Sequence, residues 1–447
     1  MTTDAGRITP RATRRSVRPS GVLTVVLAAY VVLAAQYAAR TPDWQVPDEP
    51  AHYNYVRFVV ERGALPVLRP GDYDQAYNER FTNPRNTPSM SIDPLRYESW
   101  QPPLYYLLAA PVYALTGGSL LALRLFSVAL GGAQIAAAYL TVREIFSHAP
   151  TLALGTAAFV AFIPQHVAML SGVNNDALAE LLLALTLLQI VRVLKTPSTL
   201  ILPYIILGLF LGLGFLTKGT NYLIAPVAML AIVFRSRQPP SSFFILHSAF
   251  VLIPALALGS LWWLRNIGVY GGLDILGLVN HNAVVVGQPL TSDWVARLGF
   301  GPFLISALTT TFHSFWGQFG WMGVPMPDAF YLALGALCLV ALTGWLLSLR
   351  ERPVTPTLPY SSTLLVLLTL VTFGYYIFYN VTFVQHQGRY LFPALIPLGL
   401  VFSLGIERWT RRLPRPLNVM TPAGVFAALA ALDVWALVRF IIPSLAT

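Results

Sequence analysis

Long apolar runs alternate with short polar connections along most of the chain. A helix needs roughly 20 mostly apolar residues to cross a bilayer core. Runs of that kind fall near residues 20 to 38, 121 to 141, 151 to 170, 176 to 194, 200 to 217, 221 to 234, 243 to 264, 328 to 349, 361 to 383, 390 to 407 and 423 to 443. The pattern predicts an all-α fold, a polytopic transmembrane helical bundle of about eleven spans. Two stretches break the rule. Residues 102 to 115, PPLYYLLAAPVYAL, are apolar but short, contain Pro111 and end at Gly117 and Gly118. Counting them as a span would invert every later loop, so they are expected as an interfacial or re-entrant helix. Residues 301 to 323, rich in Phe, Trp and Gly, are expected as an amphipathic segment at the same surface.

Composition agrees with the pattern: 447 residues, 55% hydrophobic and only 11% charged, are too apolar for a soluble globule. The net charge of +10 is mostly a topology signal. Arg7, Arg11, Arg14, Arg15, Arg18, Arg143, Arg192, Lys195, Arg235, Arg237, Arg350, Arg352, Arg408, Arg411, Arg412 and Arg415 fall in alternate connections, which are therefore expected to be cytoplasmic. The opposite connections hold Asp43, Asp48, Glu49, Glu61, Asp72, Asp74, Asp93, Asp176, Asp274 and Asp293. Nucleic-acid binding is not needed to explain the basic balance. The expected organisation is a basic cytoplasmic N-terminus (1–19), a transmembrane module (20–409) with long outer loops at 39–120 and 265–327, and a basic cytoplasmic loop with a last helix (410–447). The first apolar run, at roughly 19 residues, exceeds a cleaved h-region and is expected to stay as a signal anchor in the plasma membrane. Cys338, the single cysteine, can form no intrachain disulfide.

With that topology, Asp48, Glu49, His52, Arg124, Asn174, Asn175, Asp176, Lys218, Arg265, Asn266, His313, His386 and Arg389 all fall at the outer boundary. Carboxylates beside cations at a membrane surface suit transfer from a lipid-phosphate donor. A carboxylate can take the proton of an acceptor hydroxyl, and fixed Arg or Lys can stabilise a departing phosphate. Simpler readings compete. Asp48 after Pro47, and Asp176 after two Asn, are also good helix N-caps, and the aromatics Trp262, Trp263, Trp316 and Trp321 suit an interfacial belt. The spacing of Asp48, His52 and Asp176 has none of the density of a metal motif, so no metal and no firm cofactor is expected, although hard cations do favour carboxylates.

The ordered set PDEPAH (47 to 52), QPPLYYLL (101 to 108), LALRLFS (121 to 127), NNDAL (174 to 178), LTKGTN (216 to 221), WWLRN (262 to 266), SFWGQFGW (314 to 321) and QGRYLFPALIP (387 to 397) resembles the C-type (GT-C) superfamily of integral-membrane glycosyltransferases. Within it the chain looks like bacterial relatives of protein O-mannosyltransferases and of the lipid A aminoarabinose transferase. The resemblance implies a polyprenyl-phosphate sugar donor, an active site on the outer face and an acidic base in the first outer loop. Carried over by position, it implies Asp48 or its neighbour Glu49 as base and Lys218, Arg265 and Arg389 near the donor phosphate. His52, Arg124, Asn175, Asp176, Asn266 and His386 are the expected substrate-binding or supporting residues.

The expectation is therefore an inverting hexosyl- or pentosyltransferase whose partners are the lipid-linked donor, membrane lipids and a lipid, polysaccharide or protein acceptor. The rival is a transporter or flippase of lipid-linked saccharides. Transporters place polar groups near the midplane, whereas these polar groups gather at one face.

Overall fold

The computed structural model describes residues 19–197, 199–236, 241–350 and 358–445. Arg7, Arg11, Arg14, Arg15, Arg18, Arg237 and Arg352 of the expected basic connections lie outside the described residues. The rest is an all-α polytopic bundle. Among the described residues eight helices are long and apolar enough to cross a membrane: Pro19–Arg40, Leu120–Ile145, Asp176–Lys195, Phe244–Tyr270, Asp328–Ser348, Tyr360–Thr382, Gly388–Thr410 and Leu417–Leu445.

The other three expected spans have a different shape. The run at 151 to 170 is two helices, Pro150–Ala161 and Pro164–Leu170, bent by 66°. Pro164 explains the break, because it has no N–H to give the preceding turn. The run at 200 to 217 yields only the 14-residue helix Leu202–Phe215, about 21 Å long at 1.5 Å per residue. The next begins as a 3-10 turn, Gly219–Ile224, before Ala225–Ser236 becomes α-helical. Apolar composition marks all three as apolar helical segments but carries no information on where a helix bends or tightens.

With no hydrophobic drive between helices in lipid, close packing needs small residues. Gly208 sits where an added Cβ would lie 2.3 Å from the Val251 carbonyl oxygen, so Leu202–Phe215 and Ser241–Tyr270 touch backbone to backbone. Gly344 and Gly405 do the same for Asp328–Ser348 and Leu395–Thr410. Asp176–Lys195 lies between Leu120–Ile145 and Leu202–Phe215, and Leu395–Thr410 packs on Pro150–Ala161.

Among the described residues, the connections that carry Lys195 and Arg235 share one end of this bundle. Lys195 donates to the Glu144 carbonyl, and Arg235 donates to the Thr196 carbonyl oxygen at 2.9 Å. The 20-residue helix Asp176–Lys195 separates Lys195 from Asp176, which lies at the opposite end. There the two long connections fold onto each other. Ala51, Leu68, Phe81, Leu95 and Tyr97 of the first connection share a small apolar core with Val284 and Val285 of the second. Residues 102 to 115 form the 13-residue helix Leu104–Thr116 in that layer, and Phe300–Trp316 is followed by a two-strand hairpin, Gln318–Phe319 with Val324–Pro325. In the last span, Asp433 is buried, and neither carboxyl oxygen has a hydrogen-bond partner among the described residues.

Candidate active site

The two most enclosed long helices both begin at the same cluster. Asp176–Lys195 and Gly388–Thr410 have 78% and 72% of their apolar window covered, against 44% or less for the other long helices. Their first turns carry Asp176 and Arg389. Lys218 comes from the bend after Leu202–Phe215, and Asp48 from the residue before helix Glu49–Arg62. Four segments scattered over the sequence therefore bring two ion pairs together. Arg389 donates Nη2 to Asp48 Oδ2 at 2.8 Å, and Lys218 donates Nζ to Asp176 Oδ1 at 2.6 Å. All four side chains keep between 12% and 22% of their surface exposed, so the pairs are covered but not sealed.

Asp48 stands at the N-cap position, yet its side chain makes no capping bond. It turns instead to Arg389 and to the Tyr97 hydroxyl, which donates to Oδ1 at 3.1 Å. Its backbone is left-handed, with φ 66°. Aspartate tolerates that region better than most residues, and non-glycine positions held there cluster at functional sites. One turn on, His52 is buried with Nδ1 2.8 Å from the Tyr106 hydroxyl.

The cluster shares one electrostatic environment. Burial works to raise the Asp48 carboxyl, but the Arg389 charge and hydrogen bond, with the Lys218 charge, outweigh it and hold the group below its usual range. Burial first, and then the Lys218 charge, press the His52 imidazole down to about 3 against the pull of Asp48 and Asp176. His52 is therefore neutral near pH 7. Between it and Tyr106 it offers hydrogen bonding rather than charge.

Glu49, by contrast, is fully committed. It is 0% exposed and receives both Nε and Nη2 of Arg124, at 2.7 and 2.6 Å, with the backbone N–H groups of Trp44 and Val173 on the same carboxylate. Arg124 spends its remaining donors on the carbonyls of Ala38, Thr41 and Pro42. The adjacent acids of the PDE stretch thus have separate surroundings: Asp48 faces the cluster, and Glu49 ties the first connection to Leu120–Ile145.

Other expected site residues lie around the cluster. Asn175 donates to Gln101 Oε1 and the Thr217 carbonyl, bracing the segment before Lys218. Asn174 Oδ1 accepts from the Asp176 N–H at 2.9 Å. Arg265 bonds the Pro66 carbonyl and Asn266 Oδ1, and its guanidinium lies 4.6 Å from the Trp262 ring centre and 5.4 Å from that of Tyr270. Asn266 in turn holds the Ile275 carbonyl. His386 is buried against Phe303, and its carbonyl accepts from Ser314 Oγ. His313 stacks on Tyr331.

Arg389 is aimed by the glycine before it. An added Cβ on Gly388 would lie 2.3 Å from the Phe315 backbone nitrogen, and the Gly388 N–H is bonded to Ser314 Oγ at 2.8 Å. Two residues of the cluster escaped the sequence reading: Tyr97, and Glu98, whose surroundings include Asp48, Lys218 and Arg389. The one signal available was an acidic residue three positions before the QPPLYYLL motif. Among the described residues no three His, Cys, Asp or Glu side chains gather into a set able to hold a metal ion.

Residues 100–263 match the family described as dolichyl-phosphate-mannose-protein mannosyltransferase. No curated protein matches the sequence. Two solved structures overlay 95% of the chain. One is ArnT from Cupriavidus metallidurans bound to undecaprenyl phosphate, with TM-score 0.51, 14% identity and 73% of its length covered. The other is the apo oligosaccharyltransferase of Archaeoglobus fulgidus, with TM-score 0.52, 14% identity and 55% of its length covered. The chain has the GT-C fold. A weaker likeness, TM-score 0.41 at 16% identity, joins 57% of the chain to 35% of the S. cerevisiae Pmt1-Pmt2 protein O-mannosyltransferase complex bound to the sugar donor. The chain therefore spans about a third of one of these relatives, about half of another and nearly three quarters of the third. It is a multi-pass membrane protein.

Proposed function

We propose that the protein is an inverting glycosyltransferase that moves a hexose or pentose from a polyprenyl-phosphate donor to a cell-envelope acceptor. The observation that carries this reading is the pairing of each cation with a carboxylate at one covered end of the bundle. Arg389 has a further donor to offer, since its buried Nε has no hydrogen-bond partner among the described residues. A lipid phosphate arriving between Lys218 and Arg389 would take up their donors, with charge-assisted hydrogen bonds stronger than neutral ones. Asp48, released from Arg389, is then the base. The acceptor oxygen bonds to the anomeric carbon as the bond to phosphate breaks, the electron pair stays on the phosphate, and Asp48 receives the acceptor proton. Asp176 positions Lys218, and neutral His52 and Tyr106 line the same space. Arg265 serves this reading as a brace between the two outer connections, leaving the phosphate to Lys218 and Arg389.

The family match and the undecaprenyl phosphate of the ArnT structure support the donor class. The gathering of Glu144, Lys195 and Arg235 at the end away from the cluster supports a cytoplasmic face there and an active site on the outer face of the plasma membrane. On that assignment residues 20–409 are the catalytic module, and 410–447 return the chain through a basic cytoplasmic loop and a last helix.

The reading is tested with full-length protein in nanodiscs, radiolabelled polyprenyl-phosphate hexoses and pentoses, and a cell-envelope extract. Wild type is expected to release polyprenyl phosphate as label enters the extract; binding or vesicle transport without cleavage would instead support a lipid-saccharide carrier. Lys218→Gln removes a charge-assisted bond of about 1.5–3 kcal/mol, so the Kd for undecaprenyl phosphate should rise about 10- to 100-fold. An unchanged Kd would remove Lys218 from the phosphate site.

A further inference from the structure

Glu98 lies in the turn between Tyr97 and Ser99, just before the Leu104–Thr116 helix. That turn is tied to the helix bearing the PDE stretch: Asn54 donates to the carbonyls of Ile92 and Leu95 at 2.6 and 2.8 Å, and the Tyr55 hydroxyl donates to the Gln101 carbonyl at 3.1 Å. Tyr97 reaches Asp48 from the same turn. The same turn therefore holds the Glu98 carboxyl where the charges of Asp48, Lys218 and Arg389 act on it. Its Oε2 is buried and has no hydrogen-bond partner among the described residues. A buried acceptor left open costs free energy unless something fills it during function.

The groups around it come from several segments of the site. They are Asp48 before the second helix, Lys218 at the bend, Arg389 at the start of its span, Gln101 in the same turn, and the hydroxyls of Tyr97, Tyr106 and Tyr379. Burial and then the Asp48 charge raise the Glu98 carboxyl to about 7, while Asp48 is held low. Two carboxyls in one site with proton affinities pushed apart are the usual mark of divided acid and base duties.

We propose that Glu98 is the proton acceptor for Asp48: the carboxylate that takes over the acceptor's proton once Asp48 has removed it, and passes it to solvent. This rests on the transferase reading above. Asp48 begins and ends each turnover ionised. Its O–H bond, formed from the acceptor hydroxyl, breaks as the Glu98 O–H bond forms, and no other reactant is required. Glu98 supplies the drive, because the proton is held more tightly there than on a carboxylate facing Arg389.

Glu98 must be ionised to act, so turnover should rise as pH increases through about 7 and level off above it. Glu98→Gln keeps the size and hydrogen-bonding capacity beside Gln101. It should lower kcat about 10²-fold, the low end for a positioned acid–base group, and abolish the limb near 7. The Kd for undecaprenyl phosphate, read by 31P NMR, should stay within about twofold, less than the loss of one hydrogen bond would cause. Glu98→Asp should restore part of kcat with a shifted limb. Infrared difference spectra taken on either side of pH 7 should contain a protonated-carboxyl band that vanishes in Glu98→Gln. If wild type turns over donor and Glu98→Gln matches its rate and pH profile, Glu98 is a bystander and the proposal falls while the transferase reading stands. If Glu98→Gln loses rate yet keeps the limb, its role is structural and the proposal falls. If wild type binds phosphate but cleaves no donor, both fall together.

Discussion

Asp48→Asn is expected to lower single-turnover release of polyprenyl phosphate by about 10³-fold, within the range that loss of a general base produces. The variant is informative because so little else changes. Asparagine, like aspartate, accepts the left-handed backbone found at position 48, and it can still accept from Tyr97 and Arg389. An alanine there would mix loss of the base with backbone strain. Donor affinity should hold or improve, since Arg389 no longer has a carboxylate competing with the phosphate. The measurement is label release under excess enzyme, beside equilibrium binding of undecaprenyl phosphate. A variant that turns over at the wild-type rate would move the base elsewhere and leave the PDE stretch without a chemical role.

The second large effect is on the fold. Arg124→Met should destabilise the protein by about 3–5 kcal/mol, because it leaves Glu49 as an uncompensated charge in a site with no exposed surface. Glu49→Gln should also destabilise, because Trp44 and Val173 donate to different carboxylate oxygens and the amide has only one oxygen to accept with. Combining the two should recover much of the loss, as removing both partners of a buried pair costs less than removing one. Thermal unfolding in detergent reads all three. If Arg124→Met unfolds at the wild-type temperature, the pair is dispensable for stability. Assaying Glu49→Gln beside Asp48→Asn then separates scaffold from chemistry: Glu49→Gln protein that remains folded should keep its turnover.

What could be read from the sequence followed the length scale of the signal. Apolar runs announce membrane helices whatever their partners. The break at Pro164 was in plain view as a proline, yet a 66° bend depends on what packs around it. Asp48, Asp176, Lys218 and Arg389 could be nominated because each is a polar residue at the edge of an apolar run. Their pairing could not, since Arg389 lies 341 positions from Asp48 and Lys218 lies 42 from Asp176. Glu49 and Arg265 looked equivalent to Asp48 and Lys218 by type and position; only the three-dimensional neighbours, Arg124 for one and Trp262 with Tyr270 for the other, set them apart. Glu98 gave almost no signal, because a single glutamate in an irregular turn has no period or spacing to stand out against.

The Arg389–Asp48 pair has a consequence for the order of events. In the empty site the base is occupied by the cation that the donor phosphate needs, so on the transferase reading it becomes free only when donor arrives. An acceptor or a water reaching the site first meets a blocked carboxylate. On that reading the arrangement would act as an interlock, favouring donor-first turnover and keeping the unloaded protein inert. Acceptor bound in the absence of donor, seen in equilibrium binding, would contradict it.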